Sequence, residues 1–314
     1  MPYNYKTLEL SRNLKMKTLN DILNLAKKIG PKQIAIASAE DFQILRALEQ
    51  ARKEEIVDGI LVGDEKKIRY LLAEAQMDEQ NFEIINEIDG LKASLLCCDL
   101  INQKKADLMM KGLVGTTSFM RAILDKEKGL STGKLLTHLA VFEIPDYPKL
   151  LMLTDAAINI SPNLMEKAQI IQNAVEVAHS LGIQTPLVAC IAAVEKINPE
   201  KMPATVDAAA LSMMAKRGQI SGAIVDGPFG LDNAISEESA KVKGVKSSIA
   251  GKADILLAPD IEAGNVIYKT LIEFARAKCA AIVLGTKVPV VLTSRADSHE
   301  TKFMSIALGV VGCR

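Results

Sequence analysis

One stretch near the C-terminus gathers the sharpest set of reactive side chains in the sequence: Thr293-Ser294-Arg295-Ala296-Asp297-Ser298-His299-Glu300. Val288–Leu292 before it is an apolar run of strand length, and Phe303–Val311 after it reads as a closing helix. Hydroxyls, a guanidinium and carboxylates therefore sit between a strand exit and a helix start. A plain N-cap accounts for Asp297 or Ser298. It does not account for Ser294 and Arg295, whose hydroxyl and planar guanidinium suit a phosphate or a developing oxyanion.

Three other segments have the same strand-then-turn-then-helix pattern. Lys111-Gly112 leads into Gly115-Thr116-Thr117-Ser118 and, about one helical turn on, Arg121. Backbone N–H groups at such a helix start, with the Thr116 and Thr117 hydroxyls, suit a phosphate or carboxylate. Pro259-Asp260 leads into Gly264-Asn265 and Tyr268-Lys269, where Asn265, Tyr268 and Lys269 share one helical face. A capped helix with a snorkelling lysine explains that face equally well. Asp226-Gly227-Pro228 follows the strand Ala223–Val225; turn chemistry alone explains those residue types, and two acids, Asp226 and Asp232, could also face a ligand.

Other patterns fail on inspection. Gly129 to Leu135 imitates a phosphate-binding P-loop, but three residues separate its glycines where four are needed, and Leu135 stands where a magnesium-holding hydroxyl belongs. No GxGxxG follows a strand. His138, His179 and His299 lack metal-ligand spacing, and Cys97, Cys98, Cys190, Cys279 and Cys313 have neither zinc nor disulfide-framework spacing. No metal site is expected.

The elements that must carry these segments alternate along the chain. Gln33–Ser38, Ile56–Val62, Asp107–Met110, Leu150–Leu153, Leu187–Ala192, Ala223–Val225, Ile255–Ala258, Ala281–Leu284 and Val288–Leu292 read as strands. Ala39–Lys53, Pro162–Leu181 and Val206–Arg217 read as helices between them. Such alternation implies βαβ units, hence an α/β fold with mainly parallel sheets, whose ligands gather at the carboxyl ends of strands. With 314 residues, two domains are expected. Pro145-Asp146-Tyr147-Pro148 is the best hinge, giving 1–144 plus 288–314 as a first domain and 145–287 as an inserted second one.

Composition excludes several classes of partner. Lys plus Arg (38) equals Asp plus Glu (38), so no global field draws nucleic acid or anionic lipid, and an anionic ligand must meet a local site. Aromatic residues are 4% of the chain and are not interleaved with basic ones as single-strand binding would require. No apolar run approaches the ~20 residues that span a bilayer, and the start lacks a signal-like apolar stretch. A reducing cytoplasm is the expected location.

Taken together, the segments resemble the phosphate acyltransferases that interconvert acyl-CoA and acyl phosphate, the phosphate acetyl- and butyryltransferases, and are most similar to the butyryl-type members. The resemblance runs from about Asp107 to the C-terminus. It is carried by Lys111–Arg121, Thr154-Asp155 to Asn159, Asp226-Gly227-Pro228, the pattern Pro259-Asp260/Gly264-Asn265/Tyr268-Lys269, and Ser294–Ser298. It implies a two-domain fold like that of the isocitrate and isopropylmalate dehydrogenases, with the active site in the cleft between domains. It also implies a homo-oligomer, coenzyme A and phosphate as substrates, no tightly bound cofactor, and direct transfer in a ternary complex.

Within that resemblance Ser294, Arg295 and Asp297 are the catalytic residues, while Lys111, Gly112, Thr116, Thr117, Arg121, Asp226, Asn265, Tyr268 and Lys269 bind phosphate or substrate. Aligned on the shared Ser-Arg pair, the acetyltransferase pattern carries a catalytic Asp seven residues after the Ser; here that position is Thr301. Asp297 and Glu300 are the local alternatives for a base. Phosphate acetyltransferase is the near alternative. A nicotinamide-dependent hydroxy-acid dehydrogenase of the same fold and a non-catalytic CoA- or phosphate-binding protein are rivals from other classes. Replacing Arg295 with Ala is expected to abolish most turnover while circular dichroism still reports a folded protein; a near-normal kcat would remove this segment from the mechanism.

Overall fold

The computed structural model describes residues 16–294 and 297–313. Its apolar runs become eleven strands among the described residues. They are β1 (Lys32–Ala37), β2 (Val57–Gly63), β3 (Phe82–Asn86), β4 (Leu108–Lys111), β5 (Thr137–Glu143), β6 (Leu151–Thr154), β7 (Leu187–Ile191), β8 (Ile224–Phe229), β9 (Ile255–Leu257), β10 (Lys278–Leu284) and β11 (Val290–Val291). The chain divides into two compact units: Leu19–Leu136 with the residues from Cys279 onward, and Thr137–Lys278 with the short segment up to Thr18.

In the unit built on Leu19–Leu136, the strands lie in the order β3-β2-β1-β4-β11-β10. All pair in parallel except β10, which runs antiparallel to β11. Ile34–Ala37 are wholly buried, as a parallel strand covered by helices on both faces must be. One cover is the helix Phe42–Lys53, which buries Ile44, Leu45, Leu48 and Ala51; each large aliphatic side chain contributes about 1.5–3 kcal/mol. This helix starts at Phe42 and not at Ala39, because Ser38 takes a positive φ of 55° and Asp41 caps the first turn by accepting from the Ile44 N–H at 2.9 Å. The C-terminal helix His299–Gly312 packs on it and on the helix Leu19–Ile29.

In the other unit the order is β5-β6-β9-β7-β8. Here β6, β9, β7 and β8 are parallel, and β5 and β6 form an antiparallel pair with Leu139 opposite Thr154 and Phe142 opposite Leu151. Pro145–Pro148 is therefore the connection of a hairpin inside one unit, not a hinge; the Tyr147 N–H closes it on the Ile144 carbonyl at 3.1 Å. A second difference concerns Asp226-Gly227-Pro228. These residues are not a turn after a strand but lie within β8, which continues to Phe229 across a register shift against β7. Among the described residues no helix is long and apolar enough to cross a membrane.

The backbone is packed most closely where β4 leaves the sheet. The Gly112 N–H donates to the Ala37 carbonyl and the Leu113 N–H to the Ser38 carbonyl, both at 2.8 Å. A β-carbon at Gly112 would lie 2.0 Å from the Ser38 oxygen and 2.5 Å from that of Ala37. Gly112 thus serves the approach of two chain segments. Gly112→Ala is expected to destabilise the protein by about 1–3 kcal/mol, the usual cost of overpacking, read as a lower urea midpoint with an unchanged m-value.

Candidate active site

Parallel pairing decides which polar segments meet. Ala37 of β1 lies opposite Lys111 of β4, and Met110 of β4 lies opposite Val291 of β11. The carboxyl ends of these three neighbours point the same way, so the exits at Ser38, Lys111–Thr117 and Thr293–Asp297 emerge side by side. Two of the four segments singled out from sequence are thereby brought to one place within one unit. This is the position at which open α/β sheets bind ligands.

At the C-terminal exit Ser294 and Asp297 are tied to each other twice. The Asp297 N–H donates to the Ser294 carbonyl at 3.1 Å, and an Asp297 carboxylate oxygen accepts from the Ser294 N–H at 2.7 Å. Lys302, 2% exposed, reaches back from the first turn of the following helix. Its ammonium donates to the carbonyls of Asp297 and Ser294, at 2.5 and 3.3 Å. Ser298 is the N-cap of that helix, its Oγ accepting from the Thr301 N–H at 3.2 Å. Thr301, which stands where the acetyltransferase pattern has a carboxylate, is therefore in the capping turn, 3.3 Å from the Ser298 hydroxyl. The Ser294 side chain is exposed. Arg295 lies outside the described residues.

The neighbouring exit is shaped the same way. Lys111 is buried and turns its ammonium onto the carbonyls of Gly112 and Val114, both at 3.0 Å. Its charge holds the loop from below. The helix Thr116–Ile123 begins at Gly115, which offers no side-chain cap. Its first turn exposes Thr116 and Thr117, and Arg121 is exposed further along. A helix start with hydroxyls and without a capping side chain is suited to an anion.

The remaining two segments lie in the other unit. Asp226 is held by three donors: Ser212 Oγ at 3.0 Å, Ser247 Oγ at 2.6 Å and the Gly227 N–H at 2.9 Å. Those bonds join a helix and a loop to β8, which gives this acid a structural task. The helix Ile261–Glu273 follows β9 and is capped by Asp260. Asn265 donates to the Ala156 carbonyl at 3.3 Å, Tyr268 packs edge-on against Phe142 with centroids 5.3 Å apart, and the Lys269 ammonium lies 5.5 Å from the Tyr268 ring. Asn265 and Lys269 are exposed and Tyr268 half-buried.

This helix sits against the exit of β6, which is organised by a buried acid. One oxygen of Asp155 accepts from the N–H groups of Ala157 and Ile158, the other from the His138 N–H and the Asn159 amide. A β-carbon at Gly264 would lie 2.5 Å from the Asp155 carbonyl oxygen, which explains a glycine in mid-helix. One residue escaped identification from sequence. Lys302 reads as one more lysine of a surface helix; the usable signal is that its neighbours Phe303, Ile306 and Ala307 are all apolar. His138, buried on β5, has its ring centroid 6.1 Å from that of Tyr268.

Four thiols are held away from the thiolate form. Burial pushes Cys98 and Cys313 up to about 12, with help from Asp99 and Asp107 respectively. Burial likewise raises Cys97 and Cys190.

Comparison with known proteins gives this geometry a family. The fold is that of the two-domain dehydrogenase group: the 4-hydroxythreonine-4-phosphate dehydrogenase of Klebsiella pneumoniae superposes with a TM-score of 0.54 at 14% identity, covering 89% of this chain and 99% of that one. A model of the phosphate acetyl/butaryl transferase family matches residues 17–92 and 90–310, and the chain belongs to that family. A phosphate butyryltransferase of Clostridium acetobutylicum is 52% identical over 94% of this chain and 98% of its own length. A phosphate acetyltransferase of Thermotoga maritima is 46% identical over 93% of this chain and 99% of its own. Among solved structures, a branched-chain phosphotransacylase of Enterococcus faecalis V583 has a TM-score of 0.81 at 33% identity, covering 90% of this chain and 99% of that one.

The bond from Asp297 to the Ser294 N–H separates two tasks for this acid. Asn keeps an acceptor oxygen but cannot act as a base. Asp297→Asn is therefore expected to retain kcat within about threefold, whereas Asp297→Ala, which frees the N–H, loses about tenfold or more. Steady-state kinetics on the two variants decide between turn-former and base: equal, severe losses would restore the base.

Proposed function

We propose that the protein catalyses the reversible transfer of a short-chain acyl group, butyryl or similar, between coenzyme A and inorganic phosphate. The observation that carries this reading is the adjacency of the β4 and β11 exits. The strand that leads to the uncapped helix start at Thr116-Thr117 and the strand that leads to Ser294 are parallel neighbours, in a chain of the phosphate acetyl/butyryltransferase family.

In the direction of acyl-CoA synthesis, the CoA thiolate attacks the carbonyl carbon of the acyl phosphate. A C–S bond forms and the carbonyl oxygen takes the negative charge. The intermediate collapses with cleavage of the C–O bond, and phosphate leaves. Ser294 donates to the oxyanion or to phosphate, and Arg295 and Arg121 neutralise the leaving group. Thr116, Thr117 and the helix N–H groups hold phosphate oxygens. Lys111, Gly112 and Asp297 shape the loops that present these groups, and Asp226 braces its strand. Asn265, Tyr268 and Lys269 contact substrate.

A free thiol with a pKa of ~8.5 is ionised to only a few per cent at neutral pH. Positive charge around the site raises that fraction, so no dedicated carboxylate base is required. The raised Cys98 and Cys313 thiols fit direct transfer. Coenzyme A is a substrate and no cofactor is tightly bound; the enzyme works in the cytoplasm as a homo-oligomer. The dehydrogenase alternative would need a trio of acidic ligands for a divalent metal, which the residue pattern does not announce.

Acyl preference is the open variable, because each methylene in an apolar pocket changes discrimination by about 1–3 kcal/mol. Thiol release from acetyl-, propionyl-, butyryl- and isobutyryl-CoA in the presence of phosphate measures it. The expected result is a kcat/KM for butyryl-CoA at least about tenfold above that for acetyl-CoA. The reverse order would make the protein a phosphate acetyltransferase. Absence of phosphate-dependent thiol release with all four would remove the acyltransferase reading.

A further inference from the structure

We propose that Lys302 is a positioning residue of the transfer reaction, acting through the turn that carries Ser294. The inference rests on the acyltransferase reading given above and adds to it a group that touches no substrate.

Lys302 occupies a place that stability alone would give to another side chain. It is the fourth residue after the N-cap Ser298, in the first turn of the helix His299–Gly312, where the helix dipole disfavours a cation. It is 2% exposed, so its ammonium has also lost most of its hydration. Phe303, Ile306 and Ala307 around it are buried apolar residues. Met or Leu would fill the same space without either cost.

The ammonium is compensated by what it grips. Its bonds to the Ser294 and Asp297 carbonyls bridge the two ends of the turn. The other two ties, the backbone bond from Asp297 and the Asp297 carboxylate on the Ser294 N–H, join these two residues to each other and not to the helix. Lys302 supplies that link, because its own backbone is anchored in the helix through a 3.1 Å bond from its N–H to the Ser298 carbonyl. The Ser294 hydroxyl is thereby aimed from a rigid element, which oxyanion stabilisation requires.

The test uses the full-length protein and the thiol-release assay with butyryl-CoA and phosphate. Lys302→Met is expected to melt at or above the wild-type temperature, to lose about 100-fold in kcat, and to keep KM for acyl-CoA within about threefold. Because Lys302 works through Ser294, the double variant Lys302→Met/Ser294→Ala should be no worse than the weaker single variant by more than about threefold. Lys302→Arg, which keeps the charge and the donors, should recover part of the kcat. If Lys302→Met does not fold, Lys302→Gln is held to the same kinetic criteria. A kcat within threefold of wild type, or losses that multiply in the double variant, would overturn the proposal. Full activity of Ser294→Ala alone would instead overturn the reading on which it rests.

Discussion

The pairing of β4 with β1 on one side and β11 on the other is the constraint from which the site follows. A strand covered on both faces has no room for polar side chains along its length, so polar groups are confined to its end. Parallel neighbours end on the same side. The register that sets Ala37 against Lys111 and Met110 against Val291 therefore collects polar groups from positions about 180 residues apart in sequence at one border of a sheet. Every hydrogen bond of that ladder is between main-chain atoms, and the chemistry above it depends on the ladder being in register.

Polar and charged residues around the strand exits fall into two groups by what they touch. Lys111, Lys302, Asp155, Asp226 and Asp297 spend their hydrogen-bonding capacity on backbone groups or neighbouring hydroxyls and amides. A charge withdrawn from water and satisfied in this way gives loops without regular structure a single conformation. Thr116, Thr117, Arg121, Asn265 and Lys269 are exposed and keep capacity for a ligand. The transfer reaction needs both kinds of residue, since groups aimed at a developing charge must already be fixed when the charge appears.

Much of this was legible in the sequence because the signals are local. Apolar runs closed by Gly, Pro or Asp gave most strands to within a few residues, and the Ser-Arg segment stood out by residue type alone. What was not legible depended on partners distant in sequence. β3 and β5 are broken by polar residues such as Glu83 and His138, and only pairing with β2 and β6 makes them strands. The Pro145–Pro148 hairpin looked like a hinge because an antiparallel partner cannot be read from one strand. Asp226 looked like a turn residue because its strand continues through Gly227 and Pro228. That the Asp297 carboxylate accepts from the Ser294 N–H depends on a turn geometry that residue types do not give, and Lys302 is easily passed over because a lysine in a helix is usually solvated.

Gly264 carries a different kind of consequence. With the Asp155 carbonyl oxygen 2.5 Å from where a side chain would begin, the inner face of the helix Ile261–Glu273 has no tolerance for change. Its outer face is the reverse: Val266 and Thr270 are exposed and can change without disturbing the backbone. Over descent, then, this element can diverge on one side while being frozen on the other. Outward positions can change while the placement of the β6 and β9 exits is kept.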